Sequence, residues 1–321
     1  SRVLAGIPLA LLAVTLREAP AVPAQREVTN TTYTLADIAL SCEQPTGFAR
    51  LLFPGGRRKA VTLSYDDGTI HDRRMVDLLN AYGLRCTFNL ISDPLDKDGY
   101  ITRKELKDLY AGHEVACHTV HHPPLTQQSE SGIAWEVLEN RQDLESIVGY
   151  PVRGLAYPGG DADERVARLL PQSGIAYART VGATHAFSLP SDPLLWSATG
   201  PHADAPADGR RFLDTPEYPA LLYIWGHSYE FNEGNTWSLL EDLCRLLGNR
   251  DDLWYATNIE VIDYQAAARR LRLAADGSFI ENPSAIPVWL ELQGTPIELP
   301  PGRQTSLAEA IARADVGAPA A

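Results

Sequence analysis

The chain lacks any cluster of Lys and Arg of the kind that grips phosphate, and its 28 basic residues are outnumbered by 41 acidic ones, for a net charge of −13. Nucleic acid is therefore excluded as a partner, because backbone binding needs concentrated positive charge. The acidic residues are dispersed, so they read as solvated surface, and a neutral or basic substrate is the easier one to accommodate. Cysteine is scarce too. Cys42, Cys86, Cys117 and Cys244 lack metal-finger spacing, and two of the four fall in core-type strands, which makes free buried thiols the expectation. The apolar run from Val3 to Leu16 is interrupted by Pro8 and is too short to span a bilayer unaided. With Arg2 before it and Val22-Pro23-Ala24 after it, the run resembles a signal peptide. The chain reads as secreted if residues 1–24 are such a leader and as cytoplasmic otherwise, and residues 1–48 are set aside as an N-terminal extension.

What is present is a repeating pattern. The 321 residues, 45% hydrophobic, suffice for one large core or two smaller ones. From Lys59 onward, short β-branched or aromatic runs alternate with segments of helical period. Met75, Leu78, Leu79 and Tyr82 form one apolar stripe that stops at Gly83, and Thr102 with Glu105 forms a capping box for the next helix. Strands are predicted at 61–67, 86–91, 114–117, from 152, at 175–181, 221–225 and 253–256, with a long irregular connection before residue 218. About seven βα units favour a closed or nearly closed parallel barrel over an open doubly wound sheet. The barrel domain spans residues 49–271, residues 272–302 read as appended β segments around Asp276-Gly277 and Gly294, and residues 303–321 as a flexible tail.

In either architecture, sites lie at the C-terminal ends of the strands. The first strand ends in Asp66-Asp67-Gly68, the third in His118-Thr-Val-His-His122, the fourth in Tyr157-Pro-Gly-Gly160 and a later one in Gly226-His227. An isolated Asp-Asp-Gly is commonly a helix-capping turn, but here four such endings share one rim. His118 and His122 are four residues apart, so one turn places both imidazoles on one face. With a carboxylate they make a three-ligand site open to water, the pattern of catalytic rather than structural zinc. His121 is an alternative ligand, and a capped, solvated loop is the plainer reading. His71, His113, His185 and His202 read as surface or capping residues, and Cys117 as core.

In order and spacing, these stretches resemble the polysaccharide deacetylases, carbohydrate esterase family 4, over about residues 59–265. Thr62-Leu-Ser-Tyr-Asp66-Asp67-Gly68 is similar to the family's first motif, which implies Asp66 as catalytic base and Asp67 as metal ligand. His118-Thr-Val-His-His122 is similar to the second, implying His118 and His122 as the other ligands. Ala156-Tyr-Pro-Gly-Gly160 resembles the third, and Leu221–His227 resembles the stretch ending in the catalytic acid histidine, here His227. The resemblance implies an α/β fold, a distorted parallel (β/α)7-type barrel, to which the small C-terminal β extension is added. It also implies a divalent metal, usually zinc, and an acetylated oligo- or polysaccharide substrate. There are departures. The third motif's Arg is replaced by Ala156; Arg153 would lie on the other strand face, and Arg179 on the following strand is the candidate replacement. The motif's aromatic is Gly159, whose N–H is left to serve an oxyanion. For the Asp that orients the acid histidine the candidates are Asp192 and Asp204, and Tyr229 and Glu230 are placed to share that task or to meet sugar.

The chemistry is consistent with these residues. Hydrolysis of an amide or ester at neutral pH needs a strong nucleophile, and a zinc-bound water, its pKa lowered to about 7, provides one. Asp66 would take its proton, the metal on Asp67, His118 and His122 would polarise the carbonyl, an N–H near Gly159 would stabilise the oxyanion, and His227 would protonate the leaving group. Tyr157, Trp225 and Tyr229 are substrate-contact candidates, with core packing equally open for Tyr157 and Trp225. The expected function is removal of acetyl groups from an N- or O-acetylated carbohydrate. Metal-dependent hydrolysis of a linear or cyclic amide, or sugar binding without catalysis, are the alternatives.

Overall fold

The computed structural model describes residues 49–317. The expected leader, the N-terminal extension up to residue 48, and Cys42 lie outside the described residues.

The chain begins with β1 (Arg50–Leu52) and then β2 (Lys59–Asp67), nine residues buried nearly throughout. Around β2 the βα alternation unfolds: α1 (Asp72–Ala81), β3 (Thr87–Leu90), α2 (Arg103–Leu109), β4 (Glu114–Cys117), α3 (Glu130–Val148), β5 (Gly154–Ala156), α4 (Glu164–Leu169) and β6 (Tyr177–Ala183). Next come β7 (Trp196–Ala198), β8 (Gly200–Pro201), α5 (Ala205–Asp214), β9 (Ala220–His227), α6 (Ser228–Glu233), α7 (Trp237–Leu247), β10 (Leu253–Tyr255) and α8 (Asn258–Arg269). Thr102 caps α2 with the reciprocal Glu105 bond, and Gly149 ends α3 in the left-handed conformation, as their residue types favour.

Parallel pairing runs β9, β2, β3, β4, β5, β6, β7, with β10 beside the first half of β2. The stretch 196–201 then changes partner: β7 pairs with β6, while β8 pairs with β9. Between them, the Thr199 N–H donates to the Tyr223 carbonyl at 2.8 Å. One stretch thus joins both edges, and with β7 and β8 counted as one strand, seven parallel strands close into a barrel. The connection expected to be irregular up to residue 218 therefore holds a strand and a helix.

Strand alternation sorts the side chains. Val61, Leu63 and Tyr65 face the helices, in one apolar cluster with Met75, Leu79, Leu106 and Val137. The alternate residues fill the interior with polar groups that satisfy one another. Low in the barrel, Glu114 accepts from Thr87 Oγ1 (2.8 Å), Tyr177 OH (2.9 Å) and the Ile259 N–H (3.0 Å). Asn258, at the start of α8, bonds Thr62 and Tyr223 at 2.8 and 2.7 Å and closes that end. Above these, the rings of Tyr177, Trp196 and Tyr223 pack edge to face and tilted.

The C-terminal β segments are present and extend further than expected. Val288–Leu292 (β13) and Thr295–Leu299 (β14) form a hairpin across Gln293-Gly294, both at positive φ, and β1 pairs with β13. A second small sheet joins β11 (Arg272–Leu273), β12 (Phe279–Asn282) and β15 (Arg303–Ser306), followed by α9 (Leu307–Gly317). Over the described residues 303–317, the stretch read as a flexible tail is a paired strand and a helix, with Ile280 and Leu307 in the apolar cluster beneath these sheets.

Candidate active site

The two carboxylates come from one turn. Asp66 faces inward and is 3% exposed; its Oδ1 accepts from Asn89 Nδ2 at 2.9 Å and its Oδ2 from the Arg179 guanidinium. On a regular strand Asp67 would face the helices. Instead it takes φ 80° and Gly68 takes φ 73°, which swings Asp67 to the same side. His118 Nε2 accordingly lies 3.8 Å from Asp66 and 3.5 Å from Asp67.

His118 follows β4 and is 1% exposed. Its Nδ1 lies 2.8 Å from the Ala156 carbonyl, which only accepts, so Nδ1 carries the hydrogen and the Nε2 lone pair faces the carboxylates. The loop then doubles back through Thr119 (φ 67°) and His122 (φ 59°), rare conformations for such residues at about 1–3 kcal/mol each. It is held from two directions: Thr119 Oγ1 accepts the His122 N–H at 2.9 Å, and buried Glu136 accepts the N–H groups of Val120 and His121 at 2.9 and 3.0 Å. As a result one ligand atom each from Asp67, His118 and His122 lies within 4.8 Å of the others. The set fits a divalent metal: two imidazoles and a carboxylate, with Asp67 Oδ1 buried and lacking any hydrogen-bond partner. His121 stays outside the cluster, its Nδ1 on Glu136 at 2.9 Å and its ring stacked on Trp135.

His227 ends β9 in register with Asp66. Its Nε2 lies 3.9 Å from Asp66 Oδ2, and its Nδ1 lies 3.4 Å from Glu230 Oε1, an ion-pair contact rather than an aligned hydrogen bond. Burial opposes charge on this ring, but Glu230, Asp66 and Asp67 outweigh it and hold the pKa above the ordinary histidine value. Trp225 lies under the Arg179 guanidinium at 4.5 Å and edge-on to His227 at 5.8 Å, and the Tyr229 ring is 5.1 Å from His227.

Arg179 is wholly buried and reaches Asp66, whereas Arg153 pairs with Asp263 and does not enter the site. Ala156 and Arg179 are register partners on β5 and β6, so Arg179 approaches Asp66 from one strand over from Ala156. Gly159 sits in the turn after β5 at φ 61° with open space beside its Cα. Tyr157 is corrected: it is buried in the outer core and its OH donates to the Leu194 carbonyl at 2.7 Å, because it points away from the barrel axis. Asp192 accepts the Leu194 N–H and Asp204 starts α5; neither contacts His227. His202 and His113 are buried, not surface residues. Sequence reasoning missed Asn89 and Glu136. The available signal was a polar residue at an inward position of the strand Thr87-Phe-Asn-Leu90 and an acid on the buried face of α3.

Residues 54–178 match the family model of the polysaccharide deacetylases. A peptidoglycan-N-acetylglucosamine deacetylase of Bacillus cereus is 25% identical over 159 residues, covering 49% of this chain and 69% of that protein. The Listeria monocytogenes peptidoglycan-N-acetylglucosamine deacetylase PgdA is 26% identical over 139 residues, 41% of this chain but 29% of that protein, so the chain spans under a third of its length. A solved structure from Mycobacterium smegmatis, assigned to the polysaccharide deacetylases, superposes with a TM-score of 0.53 at 15% identity, covering 68% of this chain and 93% of that one, a likeness of fold. Over residues 54–178, then, this chain resembles the polysaccharide deacetylases.

Proposed function

We propose that this chain removes acetyl groups from an N-acetylated carbohydrate by metal-dependent hydrolysis. The observation that carries the reading is that the Asp67, His118 and His122 cluster and the His227 ring flank one buried carboxylate, Asp66, the latter at 3.9 Å. A divalent metal, zinc on the chemistry of its donors, would be held by Asp67, His118 and His122 and would supply a lowered water pKa and a polarised acetyl carbonyl. Asp66, fixed by Asn89 and Arg179, takes the proton of the attacking water. Arg179 does from β6 what the family's third-motif arginine does from the preceding strand. His227 passes a proton to the departing nitrogen, a task that suits a ring whose pKa is held up by neighbouring carboxylates. The Gly159 N–H, on the turn beside the carbonyl that orients His118, is the donor assigned to the developing oxyanion. Trp225 and Tyr229, beside His227, are the candidate sugar contacts.

An amide is favoured over an ester because an amine leaves poorly without a proton and because the Bacillus and Listeria relatives are named for N-acetylglucosamine. The test is acetate release from acetylated chito-oligosaccharides, peptidoglycan and acetylated xylan, with zinc or chelator, for the wild type and Asp66→Ala. Release that requires both metal and Asp66, and that favours the N-acetyl substrates, is expected. Stoichiometric metal binding with no acetate from any of them would overturn the reading.

A further inference from the structure

We propose that Glu230, backed by His202, is the positioning residue that orients His227 toward the leaving group; the inference rests on the hydrolase reading above. An acid histidine needs one ring nitrogen aimed at the reaction and the other held. His227 Nε2 faces Asp66, and Nδ1, buried and without an aligned hydrogen bond, has Glu230 Oε1 at 3.4 Å as its ion-pair contact. Glu230 is the third residue of α6, and its Oε2 also accepts the His227 backbone N–H at 3.2 Å. A single carboxylate therefore bonds the backbone of this histidine and stands beside its ring.

Glu230 is 43% exposed, so it would sample several rotamers if left alone, and an exposed pair contributes little energy. His202 removes that freedom: its Nε2 lies 3.3 Å from Glu230 Oε2. The His202 ring is stacked on Phe231 at 4.2 Å and on Tyr65 at 6.0 Å, and its backbone N–H donates to the Trp225 carbonyl at 2.8 Å. Its Nδ1 is buried without a partner and its Nε2 faces Glu230, so the ring's polar contact is made through Nε2. Space for this ring exists because residue 226 is glycine; a Cβ there would stand 2.0 Å from His202 Nδ1. The Gly226-His227 pair thus reads as a unit, the first residue leaving room for the ring that steadies the partner of the second.

Glu230→Gln tests this, since glutamine keeps the helix cap but loses the charge. We would measure kcat and KM on an N-acetylglucosamine oligomer, whose amine must be protonated to leave, and on 4-nitrophenyl acetate, whose phenolate leaves unaided. The expected result on the amide is a fall in kcat of roughly 10- to 100-fold, the usual scale for removing an outer-sphere partner, with KM within about twofold. The aryl ester should lose less than about threefold, because general-acid help is not needed there. His202→Phe, which keeps the ring stack but not the N–H, should shift the two substrates in the same sense. Equal losses on both substrates, or no loss on the amide, would overturn the proposal. If the wild type releases no acetate from either, the hydrolase reading falls and the orientation is decided on the ring itself. Nitrogen-15 NMR should then find the hydrogen of neutral His227 on Nδ1 in the wild type and on Nε2 in Glu230→Ala; Nδ1 in both would overturn it.

Discussion

Replacing Arg179 by Ala should cost both stability and rate, and moving an arginine back across one strand should recover the rate. Arg179 is 0% exposed and the Asp66 side chain 4%, so the substitution leaves a buried carboxylate without its counter-charge. Breaking such a pair from one side costs about 3–5 kcal/mol. Asn89 still donates to Oδ1, which argues for the lower end. At about 2–4 °C per kcal/mol for a domain of this size, the melt should fall by roughly 6–12 °C, leaving a folded protein to assay. A misplaced base loses much of a contribution typically worth ~10²–10⁴, so kcat/KM on the N-acetyl substrate should drop about a hundredfold or more. Ala156 is the register partner of Arg179, one parallel strand away at about 4.8 Å, with its side chain toward the same interior. Ala156→Arg in the Arg179→Ala background should therefore regain about tenfold of the lost rate, as a guanidinium returns to Asp66. Circular dichroism melts and acetate release at saturating metal measure both effects. Arg179→Ala with an unchanged melt and a rate within about threefold of wild type would refute the assignment.

Glu136→Ala strips the acceptor from the Val120 and His121 N–H groups and should weaken zinc binding roughly 10- to 100-fold by chelator competition; unchanged affinity would mean the loop holds itself. His227 must carry a proton to act, and its pKa lies above the ordinary 6.5, so the alkaline limb of kcat/KM should fall above that pH and disappear in His227→Ala. Burial raises the Glu114 carboxyl to about 7, against the lowering effect of its three donors. A raised native pKa means stability that is full below about pH 4.5 and lost as pH climbs through 7, roughly 3 kcal/mol in all. Urea midpoints should therefore be lower at pH 8 than at pH 5, and Glu114→Gln should flatten that slope; a slope unchanged in the variant would count against the assignment.

Much of the barrel was legible because its strands are uniform inside and its helices carry apolar stripes or caps, as with Met75 and Leu79 on α1 or the Thr102–Glu105 box. The carboxylates and histidines were legible because they stand where strands end. Residues 196–214 were not. The closing strand holds Gly200 and Pro201 and divides its few hydrogen bonds between two neighbours, so no run of strand-forming residues announces it. In α5 the buried face is Ala205, Asp208, Gly209 and Phe212; a Cβ at Gly209 would come within 3.0 Å of Leu246, so close helix contact replaced the apolar stripe. Tyr157 misled for the converse reason: its place beside the motif says nothing about which face it takes, and the β5 pleat sends it outward. Asn89, Glu136 and His202 act through other residues, and such contacts between distant parts of the chain leave no local spacing to read.

The partner change at Thr199 makes the stretch 196–201 a seam. A closed cylinder offers no free edge for a second chain to add to, yet here closure hangs on the few bonds that each half of one short strand makes. A cavity of about 200 Å³, lined in part by Trp196, Ser197, Thr199 and Tyr223, lies along it. Arg179, which pairs with Asp66, is the register partner of Trp196, and His202, which meets Glu230, directly follows Pro201. Unzipping this seam would slacken both ends of the proposed proton path together. On warming, amide exchange at residues 196–201 should quicken ahead of the rest of the barrel, and catalytic rate should decline with it while the bulk of the fold still stands.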